Sequence, residues 1–334
     1  MEPFHPIVSS PHLITIAGNF WKRPLDTTRY AVEQRLISTE PGVAVLLYSQ
    51  RPAGPSVGSM VLLHGLEGSA ESGYMRSLSQ AGLEAGYTMH RLHMRSCGGT
   101  VKHAPTLYHA GLTSDVLAVL RFLAGEEHVP LHLAGFSLGG NVALKLAGEL
   151  GEHAGELLTT VCAVSTPIDL EASARRIGQP DNRLYERRFL KRMLARAREF
   201  GLPETQLRGI GSIYAIDDRV IAPMFGFRGA RHYYATQSAS KYLDRIRIPT
   251  LCIQARDDTF IPFEIFRHPA FERNPHLTLW VTEHGGHLGY LSRRRPRFWL
   301  DRQLLSWIGS RQPVSGEVSS TDSGSPIFSP HFLR

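Results

Sequence analysis

The stretch Val129-Pro-Leu-His-Leu-Ala-Gly135-Phe-Ser137-Leu-Gly139-Gly-Asn141 decides the fold of this chain. A short apolar run ends in the pattern Gly-x-Ser-x-Gly, and a helical pattern of small residues follows at once. This order is typical of a nucleophile elbow, a sharp strand-to-helix turn that exposes its central serine. Gly135 and Gly139 suit such a turn, because strand and helix approach too closely there for side chains. The pattern predicts Ser137 as a nucleophile, with a glycine-rich structural turn as the alternative.

The composition is that of an ordinary globular protein. Of the 334 residues, 42% are hydrophobic and 20% are charged, and the formal net charge is +7. The basic residues are too dispersed to indicate a nucleic-acid partner, and the one dense basic run, residues 293–297, is predicted to begin a solvated helix. Three widely spaced cysteines, Cys97, Cys162 and Cys252, indicate neither a disulfide framework nor a zinc site. Without a signal peptide or an apolar run of about 20 residues, the sequence predicts a cytoplasmic protein.

Beyond about residue 25, short strand-like runs alternate with longer helical ones, as in an α/β sheet. The sequence predicts strands at 31–38, 43–49, 59–63, 88–92, 131–134, 158–164, 250–254 and 276–281. It predicts helices at 72–85, 113–124, 138–150, 262–271 and 297–309. Several of the strands are continuously apolar, which is typical of parallel strands covered on both faces. An elbow after the fifth of eight strands predicts an α/β-hydrolase fold with a mostly parallel sheet flanked by helices.

One interval, from about 168 to 245, shows no clear strand. It follows the predicted sixth strand, where this fold commonly carries a cap, so we predict a mainly helical cap insertion. We predict a single domain over 1–311, and a tail over 312–334 that is rich in Ser, Pro and Gly and disordered. Several aromatic residues of the cap are expected to form its core, and an apolar acyl pocket is the alternative. They are Tyr214, Phe225, Phe227, Tyr233 and Tyr234.

The cap also contains a basic amphipathic segment. Phe189, Met193, Ala197 and Phe200 recur at helical spacing. The residues around this stripe are Arg187, Arg188, Lys191, Arg192, Arg196 and Arg198. We interpret the segment as a cap helix whose apolar stripe packs on the body of the protein. Peripheral contact with an anionic membrane is the less favoured interpretation.

A serine hydroxyl is a weak nucleophile near neutral pH, so Ser137 needs a base and an acid. In this fold they follow in the order acid, histidine, each in a loop after a strand. The segment ARDDTFIP at 255–262 follows the seventh strand, and EHGGHLG at 283–289 follows the eighth. A carboxylate four residues before proline favours Asp258 as the acid, which leaves Asp257 to cap a helix or face solvent. His287, behind two glycines, is favoured as the base over His284, which we interpret as a structural or rim histidine.

The same chemistry requires an oxyanion hole made of backbone N–H groups. One donor is the residue after the nucleophile, Leu138, and the second comes from the loop after the third strand. That loop reads His64-Gly65-Leu66, and Leu66 is predicted as the second donor. A tight turn at the strand end also explains His64-Gly65 and is compatible with this role.

Five motifs together resemble the AB hydrolase-4 family of YheT-like α/β-hydrolases. They are HGLEGSAESGYMR at 64–76, RSCGGT at 95–100, YHAGLTSD at 108–115, GFSLGGN at 135–141 and DDRVIAP at 217–223. The resemblance extends over about 13–308. It implies a carboxylesterase or lipase acting on short- to medium-chain acyl esters and monoacylglycerols, although some relatives transfer acyl groups to alcohols. By the family pattern the triad falls on Ser137, Asp258 and His287.

The chain departs from the family pattern at two positions without replacing a catalytic group. It has Ser96 where the family usually has glycine, and Thr259 where the family has proline. Cys97 lacks a histidine and acid of its own, so we interpret it as a packing residue or pocket wall.

The predicted function is a serine carboxylic ester hydrolase that acts on a small acyl ester through an acyl-enzyme. This mechanism requires neither a metal nor an organic cofactor. Two alternatives stay open at this point. One is an acyltransferase that passes the same acyl group to an alcohol, and the other is a catalytically silent binding protein of the same fold. The sequence does not indicate an oligomeric state.

Overall fold

The structure is a computed structural model that describes residues 1–311, so the predicted disordered tail lies outside the described residues. Eight strands form a single sheet. They are β1 Glu33–Glu40, β2 Val43–Gln50, β3 Gly58–Leu63, β4 Tyr87–Leu92, β5 Leu131–Phe136, β6 Thr160–Val164, β7 Thr250–Ala255 and β8 Leu277–Thr282. Each observed strand overlaps its predicted range. Alternation of short apolar runs with turns was therefore sufficient to locate the whole sheet.

The strand order places the predicted elbow in the middle of the sheet. The order is β1-β2-β4-β3-β5-β6-β7-β8. β2 is antiparallel to β1 and β4, and the remaining pairs are parallel. β5 lies between β3 and β6, and every residue of these three strands is buried. The carboxyl end of a central parallel strand is where such sheets bind ligands, and Ser137 follows directly after β5.

Helices cover both faces of this sheet. Before and between the first six strands lie α1 Pro11–Phe20, α2 Gly73–Glu84, α3 Ser114–Glu126 and α4 Leu138–Leu150. After β6 come α5 Leu170–Ile177, α6 Arg183–Glu199, α7 Glu204–Leu207, α8 Ile213–Ile216, α9 Ala222–Met224 and α10 Ala230–Gln237. The last two are α11 Ala270–Arg273 and α12 Trp299–Gly309. No helix in the described part of the chain combines the length and apolarity needed to span a membrane.

Helix α1 was not predicted. Its start nevertheless has ordinary signals: Ser10 caps it by accepting a hydrogen bond from the Leu13 N–H, and Pro11 occupies the first turn. The outward side of α1 carries large apolar residues instead of charges, so the helix lacks the polar face by which a surface helix is recognised.

Two predictions about the C-terminal region were wrong. Residues 262–271 do not form one helix but a 3₁₀ turn, Phe263–Arg267, followed by the short α11. Pro269 explains the break, because a residue before proline is disfavoured in the α conformation. The basic run 293–297 does not begin α12, which starts at Trp299. That run is a loop closed by the Ser292 N–H, which donates to the carbonyl of Arg297 at 2.8 Å.

Between β6 and β7 the described residues form helices and turns, including a π-helical turn at Asp217–Ile221, and no strand. We call residues 168–245 the helical cap. In α6 the predicted apolar stripe faces inward, with Met193 and Ala197 buried against the body. Most basic residues of α6 stay exposed on its other side.

Candidate active site

Ser137 adopts an unusual backbone conformation at the turn between β5 and α4. Its φ is 52° and its ψ is −121°, a region that costs a non-glycine residue free energy. Close packing enforces this turn. A Cβ on Gly135 would overlap the carbonyl group of Gly139, and a Cβ on Gly139 would lie 2.5 Å from the Leu63 oxygen. The glycines are therefore required by close approach, and the turn presents the serine side chain at the sheet edge.

The structure brings Ser137, His287 and Asp258 together in hydrogen-bonding order. His287 Nε2 lies 2.9 Å from Ser137 Oγ, and His287 Nδ1 lies 3.1 Å from each carboxylate oxygen of Asp258. The side chains of His287 and Asp258 are buried. A buried carboxylate at Nδ1 selects the tautomer that leaves Nε2 free to accept the serine proton.

Backbone and side-chain donors orient the Asp258 carboxylate. Its Oδ1 accepts hydrogen bonds from the N–H groups of Phe260 at 2.9 Å and Ile261 at 3.1 Å. Its Oδ2 accepts one from Gln254 Nε2 at 3.2 Å. These bonds aim the carboxylate at His287. Gln254 was not identified from the sequence, because it reads as one more residue of a buried strand.

The neighbouring acid, Asp257, does something else. Its Oδ1 accepts a hydrogen bond from the Gly286 N–H at 2.8 Å, and its Oδ2 lies 3.1 Å from Nδ1 of His284. Asp257 therefore neither caps a helix nor simply faces solvent, since it holds the histidine loop. His284 is partly exposed and bonds Asp257, whereas His287 contacts the serine.

Helix α1 supports His287 from the far end of the sequence. The His287 N–H donates to Thr15 Oγ1 at 2.9 Å, and that hydroxyl donates to the Pro11 carbonyl at 2.6 Å. The two segments are in close contact, because a Cβ on Gly18 would lie 2.7 Å from the Cα of Gly289. The N-terminal helix thus fixes the loop that carries His287, and no local sequence signal indicated this contact.

The loop after β3 brings Leu66 next to the serine. A Cβ on Gly65 would lie 3.0 Å from Ser137 Cβ, and Leu66 and Leu138 both line the space beside Ser137. Among residues 1–311, neither the Leu66 N–H nor the Leu138 N–H donates to a protein atom. Leu138 also begins α4, where the helix N-terminus favours negative charge. Both N–H groups are thus without a protein acceptor and belong to residues beside Ser137, and their role as an oxyanion hole stays a prediction.

His64 holds this loop in shape. Burial lowers its pKa to about 3, so the ring is neutral at physiological pH. Its Nδ1–H donates to the carbonyl of Gly65 at 2.8 Å, and its Nε2 accepts the Met94 N–H at 3.1 Å. The Gly65 N–H donates to the Tyr74 hydroxyl at 3.0 Å. The His-Gly pair is thus a braced turn whose hydrogen bonds position the next peptide.

Residues 58–293 match the family described as alpha/beta hydrolase fold. The chain belongs to the α/β-hydrolase family. The sheet order, the elbow and the position of the three loops are those of this family, so the predicted fold class is confirmed.

Comparison with known proteins supports the same assignment. This α/β-hydrolase is 32% identical over 313 residues to YheT of Escherichia coli (strain K12), covering 90% of each chain, which confirms the resemblance to the YheT-like group. It is 24% identical to the monoacylglycerol lipase of Saccharomyces cerevisiae, covering 90% of this chain and 72% of the relative. The crystal structure of the Pyrococcus furiosus esterase Pf2001 shares the fold, with a TM-score of 0.57 and 19% identity over 93% of this chain and 99% of that one.

Two cavities of the hydrolase meet at Ser137. The inner chamber, about 100 Å³, lies under the helical cap. Residues that line it include Leu107, Ile177, Met193, Ile213, Tyr233 and Tyr234. The outer pocket, about 380 Å³, reaches the surface. Residues that line it include Ile16, Phe20, Tyr74, Arg188, Arg192 and His287. Of the five aromatic residues predicted as cap core or acyl pocket, Tyr233 and Tyr234 are buried and also line the inner chamber, which is compatible with both interpretations. Phe225 and Phe227 are partly buried against the core, and Tyr214 is 41% exposed, so its prediction as a core residue was wrong.

Asp217 and Glu67 are the two acidic residues that line the mainly apolar inner chamber. Unlike Glu67, which pairs with Arg196, Asp217 has no basic partner among the described residues. Burial raises its pKa to about 7, although a 2.6 Å hydrogen bond from the Tyr234 hydroxyl opposes the shift. A carboxyl group that is largely neutral below pH 7 is compatible with an apolar acyl chain beside it.

A largely buried ion pair connects the helical cap to the loop after β3, which contains Leu66 and Glu67. Arg196 of α6 donates to Glu67 through Nε at 3.1 Å and a terminal nitrogen at 2.9 Å, and it also donates to the Ser96 carbonyl. The Glu67 N–H donates to the Tyr108 hydroxyl, which in turn donates to the Glu67 carboxylate. Glu67 has a φ of 54°, so this network holds a strained residue directly after Leu66.

Replacing Arg196 by alanine is expected to destabilise the protein by about 3–5 kcal/mol, because it leaves the buried Glu67 carboxylate without its partner. Urea unfolding followed by circular dichroism measures the change. The control is Arg198→Ala on the same helix, whose ion pair with Glu204 is solvent-exposed and contributes little. Equal stability of the two variants would contradict the structural role of Arg196.

The two family departures have different consequences. Ser96 has a φ of 60°, a conformation that the glycine usual in the family adopts without strain. The buried hydroxyl of Ser96 has no hydrogen-bond partner among the described residues. Thr259 leaves the Asp258 hydrogen bonds in place. Burial raises the pKa of the Cys97 thiol to about 12, which suits a packing residue and not a nucleophile.

Proposed function

We propose that this protein is a serine carboxylic ester hydrolase of the short- to medium-chain carboxylesterase or monoacylglycerol lipase type. The observation that carries the proposal is the hydrogen-bonded series from Ser137 through His287 to Asp258 at the junction of two cavities. Its relatives include a monoacylglycerol lipase, whose name describes ester hydrolysis of the same kind.

In the acylation step, Ser137 Oγ attacks the ester carbonyl carbon while His287 Nε2 takes the hydroxyl proton. Asp258 stabilises the imidazolium that forms. The negative charge on the carbonyl oxygen is held by the N–H groups of Leu66 and Leu138, each worth about 3–4 kcal/mol in the transition state. The tetrahedral intermediate collapses, the bond to the leaving alkoxide breaks, and His287 returns the proton to give the alcohol.

In the deacylation step, His287 takes a proton from water, and the hydroxide attacks the acyl-enzyme carbonyl. The same N–H groups stabilise the second oxyanion. When this intermediate collapses, the bond to Ser137 Oγ breaks and His287 returns its proton to that oxygen, which releases the carboxylic acid and restores the Ser137 hydroxyl. The chain's own residues carry every proton transfer in this cycle.

We propose that each cavity takes one half of the substrate. The inner chamber has the smaller volume and is lined mainly by aliphatic and aromatic side chains, which suits an acyl chain of limited length. The outer pocket is larger and more polar, which suits the alcohol portion and the entering water. This division favours esters with short- to medium-chain acyl groups.

The proposal is tested with p-nitrophenyl esters from acetate to palmitate. We expect kcat/KM to rise to an optimum at short or medium chain length and to fall for palmitate, because longer chains exceed the inner chamber. A fluorophosphonate is expected to add its mass to the tryptic peptide that contains Ser137. Absence of both hydrolysis and labelling in folded protein would exclude the proposal, and an ester product formed with added alcohol would identify acyl transfer instead.

A further inference from the structure

Helix α1 presents large apolar side chains to the surface. Leu13 is 56% exposed, Ile16 43% and Phe20 68%, and their spacing puts them on one side of the helix. The opposite side packs on the loop of His287, where Ile14 is fully buried. No residue of α1 carries a formal charge apart from a protonatable histidine. A contiguous apolar surface of this kind on a folded protein indicates a binding face.

Helix α6 lies beside α1 and supplies positive charge. It contains seven arginines and lysines against two glutamates. The two helices are in contact, since the Arg188 guanidinium lies over the Phe20 ring at 5.2 Å and Tyr185 stacks on His12 at 5.8 Å. Leu184, one turn before Arg188, is 79% exposed. Apolar and basic side chains thus alternate across one continuous face.

The acidic groups near this face bind partners other than Arg188, Lys191 and Arg192. Glu71, which lines the outer pocket, pairs with Arg76 and Arg91. Asp181 pairs with Arg176, and Glu186 accepts the Ile213 N–H. Within residues 1–311, in contrast, Arg188, Lys191 and Arg192 form no ion pair with a carboxylate. The positive charge of the face is therefore not neutralised by the protein itself.

The same face surrounds the opening of the site. Ile16 and Phe20 of α1 and Arg188 and Arg192 of α6 line the outer pocket, which leads to Ser137. An exposed surface that combines apolar side chains with arginines lacking a carboxylate partner complements a layer of anionic phospholipid, in which acyl chains lie below negatively charged headgroups.

We propose that the outward side of α1 and the exposed basic side of α6 form a docking face for anionic phospholipid membranes. Leu13, Ile16, Phe20 and Leu184 enter the interface of the lipid layer, and Arg188 and Arg192 contact the lipid phosphates. The opening of the site then faces the membrane. The docking itself is independent of catalysis, and only the delivery of a lipid ester from the membrane to Ser137 rests on the proposed function.

The test is co-sedimentation with phosphatidylcholine vesicles that contain or lack phosphatidylglycerol, at low and high ionic strength. We expect binding to the phosphatidylglycerol vesicles that weakens with salt. The double variant Leu13→Glu/Leu184→Glu is expected to reduce the partition coefficient at least ~10-fold. The double variant Arg188→Gln/Arg192→Gln is expected to weaken binding to the anionic vesicles at low ionic strength. At high ionic strength, where salt already screens these charges, the same variant is expected to have a smaller effect.

Matched controls distinguish a loss of binding caused by changes in this face from a loss caused by an added charge elsewhere or by inactivation of the site. Leu36→Glu changes a leucine of β1 that is 52% exposed, close to the 56% of Leu13, and is expected to bind as wild type. Ser137→Ala is also expected to bind as wild type, so failure of the esterase proposal does not affect the result. Thermal unfolding verifies that each variant is folded.

The proposal would be overturned in two ways. One is a failure of vesicle binding to depend on this face, seen either as equal binding of Leu13→Glu/Leu184→Glu and Leu36→Glu or as no binding of the wild type to either vesicle. The other is a wild-type dimer in light scattering that the Leu13→Glu/Leu184→Glu variant converts to a monomer without any vesicle binding, which would make the face a contact between two copies.

Discussion

Replacing Ser137 by alanine is expected to lower kcat on p-nitrophenyl esters by about 10⁴- to 10⁶-fold. The change removes only Oγ, the atom that lies 2.9 Å from His287 Nε2. Without it, water must attack the ester directly, and the remaining rate comes from the oxyanion donors and from binding. The structure around the elbow is preserved, because alanine tolerates the φ of 52° as serine does. Steady-state kinetics and the unfolding midpoint measure these two expectations.

Ser96→Ala is the matched control for this experiment. Ser96 is also a buried serine with positive φ, but its hydroxyl has no partner among the described residues. Its loss is expected to leave kcat within a few-fold of wild type. If Ser137→Ala kept activity close to that of Ser96→Ala, the hydrolysis would have to come from another residue or from a contaminating enzyme.

Replacing Asp258 by asparagine is expected to lower kcat by about 10⁴-fold. The asparagine Oδ1 still accepts from the N–H groups of Phe260 and Ile261. Its amide NH₂, however, donates to His287 Nδ1 and so places the ring proton on Nε2. In that tautomer His287 cannot accept the proton of Ser137, and the imidazolium of the transition state loses its counter-charge.

Asp257→Asn tests the choice between the two adjacent acids. The asparagine Oδ1 keeps the hydrogen bond from the Gly286 N–H, and only the contact with His284 changes. We expect less than about a 10-fold change in kcat. Measurement of kcat and of fluorophosphonate labelling rate in both variants decides the assignment, and a larger loss in Asp257→Asn than in Asp258→Asn would reverse it.

Much of the fold was accessible from the sequence because its determinants are local. Apolar runs of four to eight residues mark strands wherever both faces of a sheet are covered, and the structure has strands at all eight predicted places. Where the local signal was ambiguous the predictions failed. The segment around Pro269 was read as one helix although proline interrupts it, and α1 was missed because its exposed side is apolar.

The supporting residues of the site could not be found in the same way. Thr15 contacts a residue 272 positions away, and Arg196 pairs with Glu67 across 129 positions. Neither residue belongs to a motif, and a threonine in a helix or an arginine in a basic helix is unremarkable by itself. Only the packing of α1 and α6 against the loops gives these side chains a partner.

The sequence by itself determined the elbow, the order of the eight strands along the chain and the two loops that carry acid and histidine, because steric requirements of glycine and apolar periodicity act between near neighbours. Only the tertiary structure brings Ser137 and His287, which lie 150 residues apart, to a distance of 2.9 Å. It also buries Glu67 under the cap and leaves the apolar side of α1 facing outward. These outcomes depend on which surfaces remain uncovered after packing, and burial is a property of the assembled fold and not of any segment.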